Sequence, residues 1–121
     1  MRNANGLSKQ CIEKIIGVRD TQELIAGKWK TAIIGMLQYN GKTRFMDMKR
    51  GLEGIASKVL SNELKELEMN HLVRRTVESD APLSVAYELT SHGKRLTAVI
   101  ESMASWGIAY RKRVLIHKQL D

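Results

Sequence analysis

Apolar residues recur along this chain first at the helical period, then at a period of two, then at the helical period again. Leu7, Cys11, Ile15 and Val18 are spaced as one face of an amphipathic helix that runs to about Val18. Asp20, followed three residues later by Glu23, has the form of a capping box and predicts a second helix from Thr21, bent or interrupted at Gly27. In "KWKTAIIGMLQYNG" the helical pattern returns at Trp29, Ile33, Met36 and Leu37, and Asn40-Gly41 supplies a left-handed stop. Thr43 is placed to cap a shorter helix, "RFMDMKRGL", that buries Phe45, Met48 and Leu52 and ends in the turn "GLEG".

The next stretch, "IASKVLSNELKELEMNHLVRRTV", sorts its residues by face and then by charge. Ala56, Leu60, Leu64 and Leu67 form the inward stripe of a helix over about 57–69, with Val59 beside it. Ser57, Lys58, Ser61, Asn62 and Lys65 lie on the opposite face. The first turns hold no carboxylate, whereas Glu63, Glu66 and Glu68 crowd the end.

After Asn70-His71, Val73, Arg75 and Val77 alternate with polar residues, "ESDAPLS" makes a turn, and Val85, Tyr87 and Leu89 alternate again. A β-hairpin is expected. Thr90 then caps a long closing helix whose Leu96, Val99, Met103, Trp106 and Tyr110 make a seam of the coiled-coil kind. Three short helices followed by a hairpin is the order of a winged helix-turn-helix, in which the third helix enters the major groove. The fold expected is mainly α with a small β-hairpin, a core over about 21–90, and two further helices at about 7–18 and 91–117. Those flanking helices present more apolar surface than a small core consumes, so a homodimer is expected through them. The alternative is that both stripes pack on their own domain.

Charge sharpens the reading. The 121 residues suffice for one domain, and 20 Lys and Arg against 13 Asp and Glu leave a formal charge of +7. Such an excess favours an anionic partner. It is unevenly spread: Lys28 to Lys58 carries seven basic residues against two acidic ones, whereas residues 59–90 carry three against six. Helix N-termini approach polyphosphate favourably through free N–H groups and the positive dipole end, and a carboxylate there would be repelled. The helix at 57–69 therefore reads as a recognition helix for double-stranded DNA. Taken alone it also reads as a solvated polar face with incidental lysines.

Other classes find little support. No apolar run approaches the length of a membrane span and no leader opens the chain, so a cytoplasmic protein is expected. Arg111, Lys112 and Arg113 after Trp106 and Tyr110 are a weak hint of a membrane surface. His71, His92 and His117 are scattered and no C-x-x-C pair exists, so neither a metal nor a cofactor is expected. No convergent acid, base or nucleophile points to an enzyme. A winged-helix module that docks proteins without binding DNA is the stronger rival.

"GKWKTAIIGML", "TRFMDMKRGLEGIASKVLSNELKELEMNHLVRRTV" and "PLSVAYELTSHG" closely resemble the HxlR family of bacterial winged-helix transcription regulators, nearly without gaps from about Leu24 to Trp106. The resemblance implies a dimeric DNA-binding repressor or activator that acts on a near-palindromic operator and answers an inducer, an unidentified small molecule or an oxidant. By position it implies that Arg44 holds phosphate, that Ser57, Lys58, Ser61 and Asn62, with Lys65 beyond, meet the groove, and that Arg75 steadies the base of the wing. Three departures stand out. Ala56 occupies the place of the family's usual serine, and Glu78 and Asp80 flank a wing tip without the expected basic residues. The family's frequent sensing cysteine falls at Ile16, five residues after Cys11. Cys11, the sole thiol, is thus left with two readings: a small packing residue on the stripe of Leu7, Ile15 and Val18, or a redox thiol.

Overall fold

The computed structural model of the protein describes residues 6–115. Helix α1 (Lys9–Leu24) opens it, followed by α2 (Lys30–Asn40), strand β1 (Thr43–Arg44), α3 (Phe45–Gly51) and α4 (Ser57–Met69). Strands β2 (Val73–Asp80) and β3 (Leu83–Leu89) form a hairpin, and α5 (Ser91–Tyr110) closes the fold with a π-helical turn at Arg111–Leu115. The sheet is antiparallel in the order β1-β3-β2. Winged helix-turn-helix order is thus present, with helices added before and after it.

Most of the core lies where the periodicities placed it, although Val59 and Val77, expected on inner faces, are exposed. Ile33, Ile34 and Leu37 of α2, Met48 of α3, and Leu60, Leu64 and Leu67 of α4 are buried together with Leu72, Val73, Tyr87 and Leu89. Gly41 ends α2 at φ 71°, a conformation a side chain resists, and its N–H closes on the Leu37 carbonyl at 2.9 Å. The end of α4 is equally definite: His71 N–H donates to the Glu68 carbonyl at 3.0 Å and Leu72 N–H to the Leu67 carbonyl at 2.9 Å. Those two bonds are a Schellman closure, sealed by burial of Leu67 and Leu72.

Several expectations need correction. Asp20 does not restart the chain, because α1 continues through it to Leu24 and is capped instead by Ser8, whose hydroxyl accepts from Cys11 N–H at 3.1 Å. Nothing between Val18 and Thr21 prevents helical dihedrals, so the local capping pattern yields to continuation of the helix. Thr43 does not cap α3. It is buried in β1 opposite Tyr87, its hydroxyl donates to the Gly41 carbonyl at 2.8 Å, and Arg44 occupies the cap position. A two-residue strand carries no readable alternation, and only pairing with β3 creates it. Ala56 is exposed as the cap of α4, and Ile55 takes the buried place at the head of that stripe. The hairpin also reaches further than expected, leaving Ala81-Pro82, joined by a cis peptide bond, as its tip. The last two residues of the closing helix as expected, 116 and 117, lie outside the described residues.

The motif "LTSHG" acquires a mechanical meaning. Thr90 O–H donates to the His71 carbonyl at 2.5 Å, its hydroxyl accepts from Gly93 N–H at 3.1 Å, and Thr90 N–H donates to the Leu72 carbonyl at 3.1 Å. This fastens the first turn of α5 onto the loop after α4 so closely that a Cβ on Gly93 would stand 2.1 Å from the Leu72 carbonyl oxygen. Gly93→Ala is therefore expected to destabilise the fold by about 1–3 kcal/mol despite alanine's better helix propensity. Urea denaturation measures this, and an unchanged midpoint would contradict the packing described.

Candidate nucleic-acid interface

Burial of Leu60, Leu64 and Leu67 turns the other side of α4 to solvent. Ser57, Lys58, Ser61, Asn62 and Lys65 are all exposed there, at spacings that share a helical face. Ala56 makes no side-chain bond to the helix start, and the first turn contains no acidic residue. The earliest backbone N–H groups and the positive dipole end therefore face outward without a carboxylate on them.

The carboxylates at the far end of α4 have a structural explanation. Lys30, in the first turn of α2, is buried, and its ammonium donates to Glu63 Oε2 at 2.6 Å and lies 2.6 Å from Glu66 Oε2. Burial disfavours the charge, but the hydrogen bonds and nearby charges of Glu63 and Glu66 more than restore it, so the Lys30 pKa lies above 10.5. Two of the three crowded glutamates thus clamp α4 to α2. Glu68 is exposed.

Between α3, α4 and the hairpin lies an open cleft of about 660 Å³. Arg44, Arg50, Ser61, Arg75, Leu83 and Tyr87 are among its lining residues. The structure therefore brings Arg44, Ser61 and Arg75 around one depression, while Ser57, Lys58, Asn62 and Lys65 are not among its lining and lie on the exposed face of α4. Arg75 sits opposite Tyr87 in the sheet and makes no ion pair among the described residues; nor do Lys58 and Lys65. Other cations nearby are engaged. Arg44 Nε lies 3.5 Å from Glu78 Oε2, Lys42 Nζ lies 3.3 Å from Glu78 Oε1, Arg50 pairs with Asp47, and Arg74 pairs with Glu88 at 3.1 Å. Arg50 and Lys42 entered the sequence reading only through the basic balance of Lys28 to Lys58. The three-residue spacing of Asp47 and Arg50 was a visible signal for one pair, whereas the meeting of Lys42 with Glu78 needs the sheet.

Cys11 belongs to a different region. It is partly buried on α1 and borders an open groove of about 570 Å³ with Lys14, Ile15 and Val18. Leu7, Ile15 and Val18 are exposed, as are Val99, Met103, Trp106 and Tyr110 of α5, with Trp106 at 68%. Trp106 and Tyr110 stack at a centroid distance of 5.0 Å. Within α5 only Leu96 and Ile100 pack against the core among its large apolar residues.

The Lys30 clamp makes a prediction with a definite sign. A pKa higher in the folded than in the unfolded chain means that its stabilisation is complete below the unfolded value near 10.5 and disappears as pH rises through the higher folded value. Lys30→Met is expected to cost about 1.5–3 kcal/mol at neutral pH, the range for hydrogen bonds to charged groups. Urea midpoints should converge between variant and parent in strong alkali, and a gap that is absent at neutral pH would contradict the clamp.

Comparison with known proteins agrees with this architecture. The profile of the HxlR-like helix-turn-helix family matches residues 24–114. YtcD of Bacillus subtilis (strain 168), described as an uncharacterized HTH-type transcriptional regulator, is 36% identical over 99 residues, covering 82% of this chain and 78% of its own length. The crystal structure of ytcD superposes with a TM-score of 0.73 at 35% identity, covering 79% of this chain and 97% of that one. The redox regulator HypR in its reduced form superposes with a TM-score of 0.76 at 34% identity, covering 84% of this chain and 98% of that one. The fit of the profile to three quarters of the chain, on the same helices and hairpin that form the core, makes this protein a member of the HxlR-like helix-turn-helix family of transcriptional regulators.

Proposed function

We propose that the protein binds double-stranded DNA sequence-specifically as a homodimer and thereby regulates transcription. The observation that carries this reading is the exposed, carboxylate-free first half of α4, which presents Lys58, Ser61 and Asn62 and whose Ser61 shares a cleft with Arg75, a guanidinium without an ion pair among the described residues. Short polar side chains suit base edges in the major groove, and unpaired cations suit phosphate. In this reading α4 lies in the groove, Arg44 and Arg75 meet backbone phosphates on either side, and Lys65 follows the strand as the helix leaves it. A protein-docking role without DNA draws on one observation, the engagement of Arg44, Arg50 and Arg74 by carboxylates of the same chain. Lys58, Lys65 and Arg75, on α4 and the strand beside it and without an ion pair among the described residues, weigh against it.

The apolar faces of α1 and α5 support the dimer. Large apolar side chains from two helices remain outward in a single chain, and a two-fold contact buries such a stripe against its own copy. Two recognition helices would then meet half-sites about 34–36 Å apart, or multiples of that, on a near-palindromic operator. Cys11 falls at this surface, so its packing role is completed by the second subunit. Its borders with Lys14 and Ile15 also keep the redox reading open, with an oxidant or a small molecule as inducer.

Selection of duplexes from a random pool with the purified protein tests DNA recognition. Asn62→Ala is expected to relax preference at one base position by about 1–3 kcal/mol. Arg75→Ala and Lys58→Ala should each weaken all duplexes and reduce the slope of log K against log salt by about one. Failure to enrich any sequence, together with equal duplex binding by the Lys58, Asn62 and Arg75 triple alanine variant, would contradict the proposal.

The dimer is tested separately by sedimentation. The parent is expected to sediment as a dimer at micromolar concentration and Met103→Glu or Trp106→Glu as a monomer, because each places a carboxylate on the apolar seam. A monomeric parent would refute it.

A further inference from the structure

The hairpin is irregular at one place. Val77 pairs with Val85 and Ser79 with Ser84, so Glu78 is the extra residue of a β-bulge. Bulges re-aim a side chain and tighten local twist. Glu78 uses this to reach from β2 across β3 to the opposite edge, where its two oxygens meet Lys42 and Arg44 separately, at 3.3 and 3.5 Å. The residue between them is Ala86, which pairs with Arg44 on one side and Thr76 on the other. A longer side chain at that position would stand between Glu78 and its partners. Glu78, Ala86, Lys42 and Arg44 border a shallow depression of about 380 Å³.

This carboxylate therefore sits where a phosphate would sit on the same two cations. We propose that Glu78 is an affinity-limiting residue, a built-in competitor that holds Lys42 and Arg44 until the phosphates of a seated duplex displace it. The inference rests on the DNA-binding reading above. Phosphate contacts supply the sequence-independent part of binding, so occupying two cations internally weakens attachment to any duplex. Exposed ion pairs are individually weak and exchange readily. When α4 matches its bases, its contacts fix the register of the backbone and Glu78 yields both cations to phosphate, so the matched duplex bears the full cost of breaking both pairs. On unrelated sequence the backbone is not held in register and Glu78 keeps the cations, because a loosely placed phosphate is worth less than the pairs. Glu78 therefore lowers affinity for every duplex, and most for the duplex that displaces it.

The test compares Glu78→Gln with the parent by fluorescence anisotropy, on a duplex enriched by selection and on a random-sequence duplex, over a range of salt. Glu78→Gln is expected to tighten binding to the selected duplex by roughly three- to tenfold, from the usual worth of such pairs. The random duplex should gain no more than that, and its salt slope should steepen by about one to two as the freed cations reach phosphate. Glu23→Gln, which removes the same charge from an exposed position on α1, controls for net charge. The same substitution at position 78 in a Lys42→Ala, Arg44→Ala background should have no effect, which closes a double-mutant cycle. A larger gain on the random than on the selected duplex, an effect matched by Glu23→Gln, or an effect that persists without Lys42 and Arg44 would each overturn the role of Glu78 while leaving DNA binding intact. Absence of duplex binding by every protein would instead overturn the DNA-binding reading, and this inference with it.

Discussion

The rotation of α4 about its own axis is the constraint on which the rest depends. Leu60, Leu64 and Leu67 must face Ile33, Leu37 and Met48 to leave water, and each such leucine contributes on the order of 2–3 kcal/mol. Once they do, Ser57, Lys58, Ser61, Asn62 and Lys65 have only one direction to face. A helix so placed still has freedom to slide or tilt. Lys30 removes it by gripping Glu63 and Glu66, one turn apart, from the start of α2. Hydrophobic burial thus chooses the face, and a part-buried charge cluster fixes the position. The lost freedom of α4 is what a groove-reading helix requires, because contacts to base edges depend on placement to within a hydrogen bond's tolerance.

The charges follow a matching logic. A formal excess of seven positive charges describes a protein attracted to any polyanion. Within the winged core the structure divides that excess into cations held by carboxylates of the same chain and cations left open. Among the described residues, Lys30, Lys42, Arg44, Arg50 and Arg74 belong to the first group, and Lys49, Lys58, Lys65 and Arg75 to the second, with Lys28 over the Trp29 ring. Three of the open cations lie on α4 and on the strand beside it, and Lys49 lies on α3. The internal pairs limit what any duplex gains from the rest.

The long periodic helices were the legible part of the fold. The inward stripe of α4, the stop at Asn40-Gly41, the cap at Thr90 and the long closing helix α5 could all be read because each follows a local rule of helix periodicity or capping. What escaped depends on residues distant in sequence. Thr43 looked like a cap because its pairing with Tyr87 lies 44 positions away. Asp20 looked like a start because nothing local reveals that α1 continues through it. The acidic end of α4 was visible as a pattern, but its purpose was not, since Lys30 looks like one more surface lysine until α2 is laid against α4. At the candidate site, the exposed set on α4 was legible from helical geometry alone. Glu78's grip on Lys42 and Arg44 was not, because it arises from a bulge and from the small size of Ala86.

The claim that the outward face of α4 is where DNA is met is open to direct observation. Backbone amide resonances of the protein, followed during titration with a duplex obtained by selection, report which surface the duplex occupies. The largest shifts are expected on residues 57–65 and on the hairpin around Arg75, fading as salt is raised. Shifts confined to α1 and α5, with residues 57–65 unmoved, would contradict it.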